Sequence, residues 1–202
     1  MRRILSALTV LSLLGLASVS SSDKTVTDPF LGENQRSALV NLPNGDDMFY
    51  WLFRSRRAPT ADPLVFWLTG GPGCSSEIAV FFENGAFKIN DDLSLTSNIY
   101  SWNEVSNIVF VDNPVGTGFS EVTELDHLEK TEEEIAANMY LFIQGFLVEN
   151  PEYVGRDFYI TGESYAGHYV PAIAYYLVNE AVDVKVNFKG IAIGNGWVDP
   201  YN

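Results

Sequence analysis

Histidine, cysteine and positive charge are all scarce in this chain of 202 residues. It carries two histidines, one cysteine, and 12 lysines and arginines against 26 acidic residues, for a formal net charge of −14. So acidic a balance argues against a nucleic-acid partner, because phosphate backbones are held by clustered Lys and Arg. Two distant histidines and a single cysteine give no metal-ligand spacing. No Gly-Lys-[Ser/Thr] closes the glycine run at residues 70–73, so it is not a phosphate loop, and no nicotinamide or flavin fingerprint is present. Neither a metal nor a cofactor is therefore expected. Long apolar runs are missing too. The run at residues 4–16 falls short of the ~20 residues that a membrane-spanning helix needs, so no stable membrane anchor is expected.

What is present begins at the N-terminus. Arg2 and Arg3 precede that apolar run, and the small residues Ala17-Ser18-Val19-Ser20 follow it. A charged region, an apolar region and a small-residue cleavage zone make a secretory signal peptide, assigned to residues 1–20. Residues 21–202 would then enter the secretory pathway, bound for the extracellular space or a vacuole or lysosome. A lone cysteine, Cys74, in such a chain points to an external partner or a free thiol, or else to a small buried hydrophobe. The densest acidic stretch, residues 121–134, reads as an exposed flexible segment.

Hydrophobic patterning orders the rest. Residues 37–42 and 47–55 alternate as two strands around the turn Pro43-Asn44-Gly45, which makes a hairpin. Residues 64–68 and 107–112 are short continuous apolar runs, suited to strands buried on both faces. Thr131-Glu132-Glu133-Glu134 is a capping box, and Ile135, Met139, Phe142 and Phe146 recur at helical spacing until Pro151. A strand at 157–161, a helix at about 165–182 and a strand at 187–193 complete an alternation that implies a mostly parallel α/β sheet with helices on both faces.

The run Gly162-Glu163-Ser164-Tyr165-Ala166-Gly167-His168 follows the strand at 157–161 directly. A strand that turns sharply through a serine into a helix presents that serine as a nucleophile, with small residues where neighbouring Cβ atoms would clash. The plainer reading makes Ser164 a helix cap. Neither histidine looks like its base. His168 sits a turn along the following helix, pointing away from the Ser164 hydroxyl, and reads as a packed, hydrogen-bonded residue. His127 lies in the acidic stretch and reads as solvated.

Four segments together resemble the serine carboxypeptidase family of α/β-hydrolases. They are Trp67-Leu68-Thr69-Gly70-Gly71-Pro72-Gly73-Cys74-Ser75-Ser76; Ser101-Trp102-Asn103 leading to Val111-Asp112-Asn113-Pro114-Val115-Gly116-Thr117-Gly118-Phe119-Ser120; the elbow from Gly162 to Pro171; and Ile193-Gly194-Asn195-Gly196-Trp197-Val198-Asp199-Pro200. The resemblance runs from about Ser37 to the end of the chain. It implies release of C-terminal residues from peptides through an acyl-enzyme on Ser164, with the backbone N–H groups of Gly71 and Tyr165 as oxyanion hole. It also implies that Glu163 and Glu83 share a proton to bind the substrate's terminal carboxylate, which predicts an acid preference. Thr69 stands where the family commonly has Asn, and Ala86 where Pro is usual. A triad Asp and His, and the disulfide partner of Cys74, are expected beyond Asn202, so that the chain is the N-terminal part of the domain, truncated one strand after the nucleophile strand, and inactive alone. Asp199 falls before the expected triad Asp. An acyltransferase on the same scaffold, or an inactive relative that only binds peptides, are the alternative readings.

Overall fold

The computed structural model describes residues 30–183 and 185–201; the expected signal segment lies outside them. The N-terminal hairpin forms as expected, pairing Gln35–Asn41 (β1) with Asp47–Phe53 (β2) in antiparallel register from Gln35↔Phe53 to Asn41↔Asp47. Its turn is held by local chemistry. The Asn44 side chain accepts the Asp46 N–H, and Gly45 takes the left-handed conformation at φ 90°.

The buried runs become Leu64–Leu68 (β3) and Asn107–Val111 (β6), every residue of which is buried. Between them the chain forms a short helix, Glu77–Phe82 (α1), and a hairpin of Phe87–Ile89 (β4) with Leu95–Ser97 (β5). The sequence reading assigned nothing to these. After β6 come Glu132–Glu149 (α2), Asp157–Glu163 (β7), Ala166–Asn179 (α3) and Asn187–Gly194 (β8). The main sheet runs β1-β2-β6-β3-β7-β8. The β6-β3, β3-β7 and β7-β8 pairs are parallel, and the two pairs at the β1 end are antiparallel.

Alternation along β3 divides the core between two faces. Leu64, Phe66 and Leu68 point to the side covered by Phe142 and Phe146 of α2 and by Tyr169 and Ile173 of α3. Val65 and Trp67 point to the opposite side, where Ala79 and Val80 of α1 and Phe87 of β4 cover them. Phe66 is the hub of the first face, with ring centroids 5.7, 5.3 and 4.8 Å from Phe142, Phe146 and Phe158. Truncating such a side chain costs about 3–5 kcal/mol. Among the described residues β8 forms the sheet's outer edge, and its Ile191 is 45% exposed. No helix of the described residues is long and apolar enough to cross a membrane.

Candidate active site

Ser164 occupies the tight turn between β7 and α3 with φ 57°, a conformation that costs a non-glycine residue of order 1–3 kcal/mol. Its backbone is fully engaged. The N–H donates to the Gly194 carbonyl at 3.0 Å, and its carbonyl accepts the N–H of Gly167 at 2.9 Å and of Trp197 at 2.8 Å. The residue at the helix cap is Tyr165, so the Ser164 hydroxyl is not spent on capping α3. The small residues around it are required by space. A Cβ on Gly162 would lie 2.6 Å from the Ala166 Cβ, and one on Gly167 would lie 2.7 Å from the Trp197 backbone nitrogen.

The glycine run closes directly on this turn. A Cβ on Gly70 would sit 2.4 Å from the backbone nitrogen of Tyr165 and 3.0 Å from the Ser164 Cβ. Only glycine lets two main chains meet so closely. Gly71 follows at φ 111°, exposed beside the turn. Two bonds from deeper in the molecule fix the loop: Gly73 N–H donates to the buried Tyr169 hydroxyl at 3.2 Å, and Thr69 N–H donates to Ser76 Oγ at 3.2 Å. Cys74 is a half-buried free thiol.

The remaining candidates gather nearby. Glu163 ends β7, and Glu83 lies at the C-terminal cap of α1. Burial, and then the charge of Glu163, hold the Glu83 carboxyl above the usual carboxylate range. Thr69 is buried, and its hydroxyl oxygen accepts the Trp67 indole N–H at 3.2 Å, which leaves its own hydrogen free to donate.

His168 is packed on α3 against rings, 4.9 Å from Tyr165 and 6.1 Å from Trp197 between centroids. His127 departs from the solvated residue expected. It is half-buried and bonded through Nδ1 to the fully buried Asp46 at 3.1 Å, and this bond raises its pKa. Although burial raises the carboxyl, bonds from the N–H and hydroxyl of Thr123 and from His127 bring Asp46 down to about 2. The acidic stretch is therefore pinned to the β1–β2 turn. Among the described residues, ligand atoms of Glu124, Asp126 and His127 lie within 4.8 Å of one another, but two of the three are exposed and the His127 Nδ1 is already taken by Asp46.

Sequence reasoning missed a buried acidic contact behind the glycine loop, between Glu77 at the start of α1 and Asp112 just after β6. The available signal was an acid placed immediately after each of two apolar or glycine-rich motifs.

A mostly parallel sheet with a strained serine turn between a strand and a helix defines an α/β-hydrolase. The serine carboxypeptidase family model matches residues 26–202, and the chain belongs to that family. Serine carboxypeptidase-like 49 of Arabidopsis thaliana is 53% identical over 179 residues, covering 87% of this chain and 34% of the relative. Serine carboxypeptidase S10 family member 1 of Dictyostelium discoideum is 49% identical over 163 residues, covering 80% of this chain and 39% of the relative. Among solved structures, Kex1, a prohormone-processing carboxypeptidase from Saccharomyces cerevisiae, superposes with a TM-score of 0.71 at 29% identity, over 87% of this chain and 41% of that one. The chain thus spans less than half the length of each.

Proposed function

We propose that this chain supplies the nucleophile half of a serine carboxypeptidase that releases C-terminal residues from peptides and prefers acid. Ser164 Oγ attacks the last peptide carbonyl, the N–H groups of Gly71 and Tyr165 receive the developing oxyanion, and water then hydrolyses the acyl-enzyme. The base and its orienting acid are assigned to residues beyond Asn202, as is a partner for Cys74. The observation that carries the exopeptidase reading is the Glu83–Glu163 pair beside the serine turn, with Glu83 raised by burial and by its neighbour's charge. A carboxylate can receive another carboxylate only through a shared proton. Binding of a free C-terminus is therefore favoured in acid and is lost as pH rises through the raised Glu83 value. Thr69, with a hydroxyl hydrogen to donate, is assigned as their helper.

The test is Glu163→Gln in the complete enzyme. A neutral amide offers a donor at any pH, so the acid preference of kcat/KM should flatten for free-acid peptides and stay unchanged for amidated ones. Superimposable wild-type and variant profiles on free-acid peptides would remove the exopeptidase reading. A second reading, acyl transfer to an alcohol, is favoured by Thr69 in place of Asn. Product analysis with an activated ester and an alcohol acceptor separates the two. The secretory destination rests on the N-terminal sequence pattern, and a fusion reporter carrying residues 1–20 would test it.

A further inference from the structure

The loop that carries Gly71 is tied down from behind by two acids and no base. Asp112 is fully buried, and its Oδ1 and Oδ2 accept the N–H groups of Ser76 and Phe119, each at 2.8 Å. The turn wraps this carboxylate so closely that a Cβ on Gly118 would lie 2.1 Å from Oδ2. Glu77 meets it from the other side. Its Oε2 takes the Ser75 hydroxyl, and its Oε1 is buried with no hydrogen-bond donor, leaving the Asp112 carboxyl as its neighbour. No ion pair among the described residues involves either acid. Asp112 is the charged group that faces Glu77; the other groups bonded to its carboxyl are the Ser75 hydroxyl and its own backbone N–H.

Two neighbouring carboxyls with no cation between them resist ionising together, so one of them keeps its proton to a higher pH than an isolated carboxyl would. Both oxygens of Asp112 are already filled by N–H donors, so Glu77 is the member that carries the proton. Burial pushes Glu77 up to about 7; the Ser75 bond works against this and Asp112 adds to it. The link to the site is short. Ser76 receives the Thr69 N–H, donates its hydroxyl to the Val111 carbonyl at 2.7 Å and gives its N–H to Asp112.

We propose that Glu77 is a positioning residue whose proton, shared with Asp112, clamps residues 70–77 onto the 112–119 turn and so holds the Gly71 N–H in register with that of Tyr165. Ionising Glu77 sets two like charges against each other beneath the loop and loosens the oxyanion hole. The proposal rests on the function proposed above, but its effect differs from that of Glu83 and Glu163. Those two act on the substrate's terminus, whereas this clamp acts on every acyl substrate.

The experiment uses the complete enzyme with a blocked peptide amide and an activated ester, neither of which has a terminal carboxylate. Wild-type kcat should fall by on the order of tenfold as pH passes through about 7, with KM little changed, as part of the oxyanion stabilisation is lost. Glu77→Gln keeps a neutral donor towards Asp112 at any pH and should carry its acid-side kcat through neutrality. Glu77→Leu should be slow throughout. Two readouts need no turnover: the infrared band of a protonated carboxyl should titrate near neutrality and be absent in Glu77→Gln, and the protection of the Ser76 and Gly73 amides, relative to their intrinsic base-catalysed exchange, should fall across the same range in wild type alone. Superimposed wild-type and Glu77→Gln profiles, or no protonated carboxyl band in mild acid, would overturn the clamp. If no variant turns over any substrate while the band and the exchange behave as described, the clamp stands and the proposed catalysis falls.

Discussion

Gly70 shows how much of this site depends on single atoms. Its α-carbon faces the backbone of Tyr165, and a methyl group there would overlap main chain that has nowhere to go. Gly70→Ala should lower stability by about 1–3 kcal/mol and disable the site, read by denaturant titration beside turnover. In the complete enzyme proposed above, Ser164→Ala should abolish turnover while the melting temperature stays, because only a hydroxyl outside the helix cap is removed. Ser164, Glu163 and the glycine run were legible because each lies in a contiguous motif whose residue types are dictated by local space. Glu77 and Asp112 were not. The sequence marks each only as an acid that follows a motif, and nothing in it pairs two residues 35 positions apart.

At the scale of elements, the same contrast holds for α2 and its neighbours. Thr131 Oγ1 accepts the Glu134 N–H at 3.3 Å and Glu134 Oε2 accepts the Thr131 N–H at 3.2 Å, the reciprocal cap written in four consecutive residues. Thr131→Ala should cost about 1 kcal/mol, measurable in urea. The helix, the hairpin and the buried strands were readable from periods of 3.6 and 2. The short α1 and the three-residue strands β4 and β5 are not long enough to show a period at all. The segment before α2 is exposed, as its charge density suggested, but it is anchored rather than loose, because Thr123 and His127 bond to the buried Asp46 on the β1–β2 turn. Because this histidine's pKa is raised in the folded protein, its contribution is full below its unfolded value and is lost as pH rises through the folded one. Hydrogen-exchange protection across residues 121–130, relative to intrinsic rates, should therefore fall above neutrality, and His127→Gln should remove that pH dependence.

Across the whole molecule these titrations point the same way. Glu77, raised to about 7, favours the folded state in acid and withdraws that support between its ordinary value of 4.5 and about 7. His127 acts in the same sense, and Asp46 loses its contribution only as pH falls towards about 2. The melting temperature should peak in mild acid and decline towards pH 8; a rise over that interval would contradict the assignment. The open flank of the sheet has its own consequence. Among the described residues β8 lies at the edge and Ile191, Val178 and Val182 are exposed, so these 202 residues expressed alone should self-associate, which sedimentation would detect. The position of β3 reaches further, into biosynthesis. This strand lies at the centre of the sheet, yet one of its two neighbours, β7, leaves the ribosome only after β6 and all of α2. The growing chain must shelter a sticky, half-paired ribbon while it waits, and until β7 arrives the serine and its glycine loop are strangers.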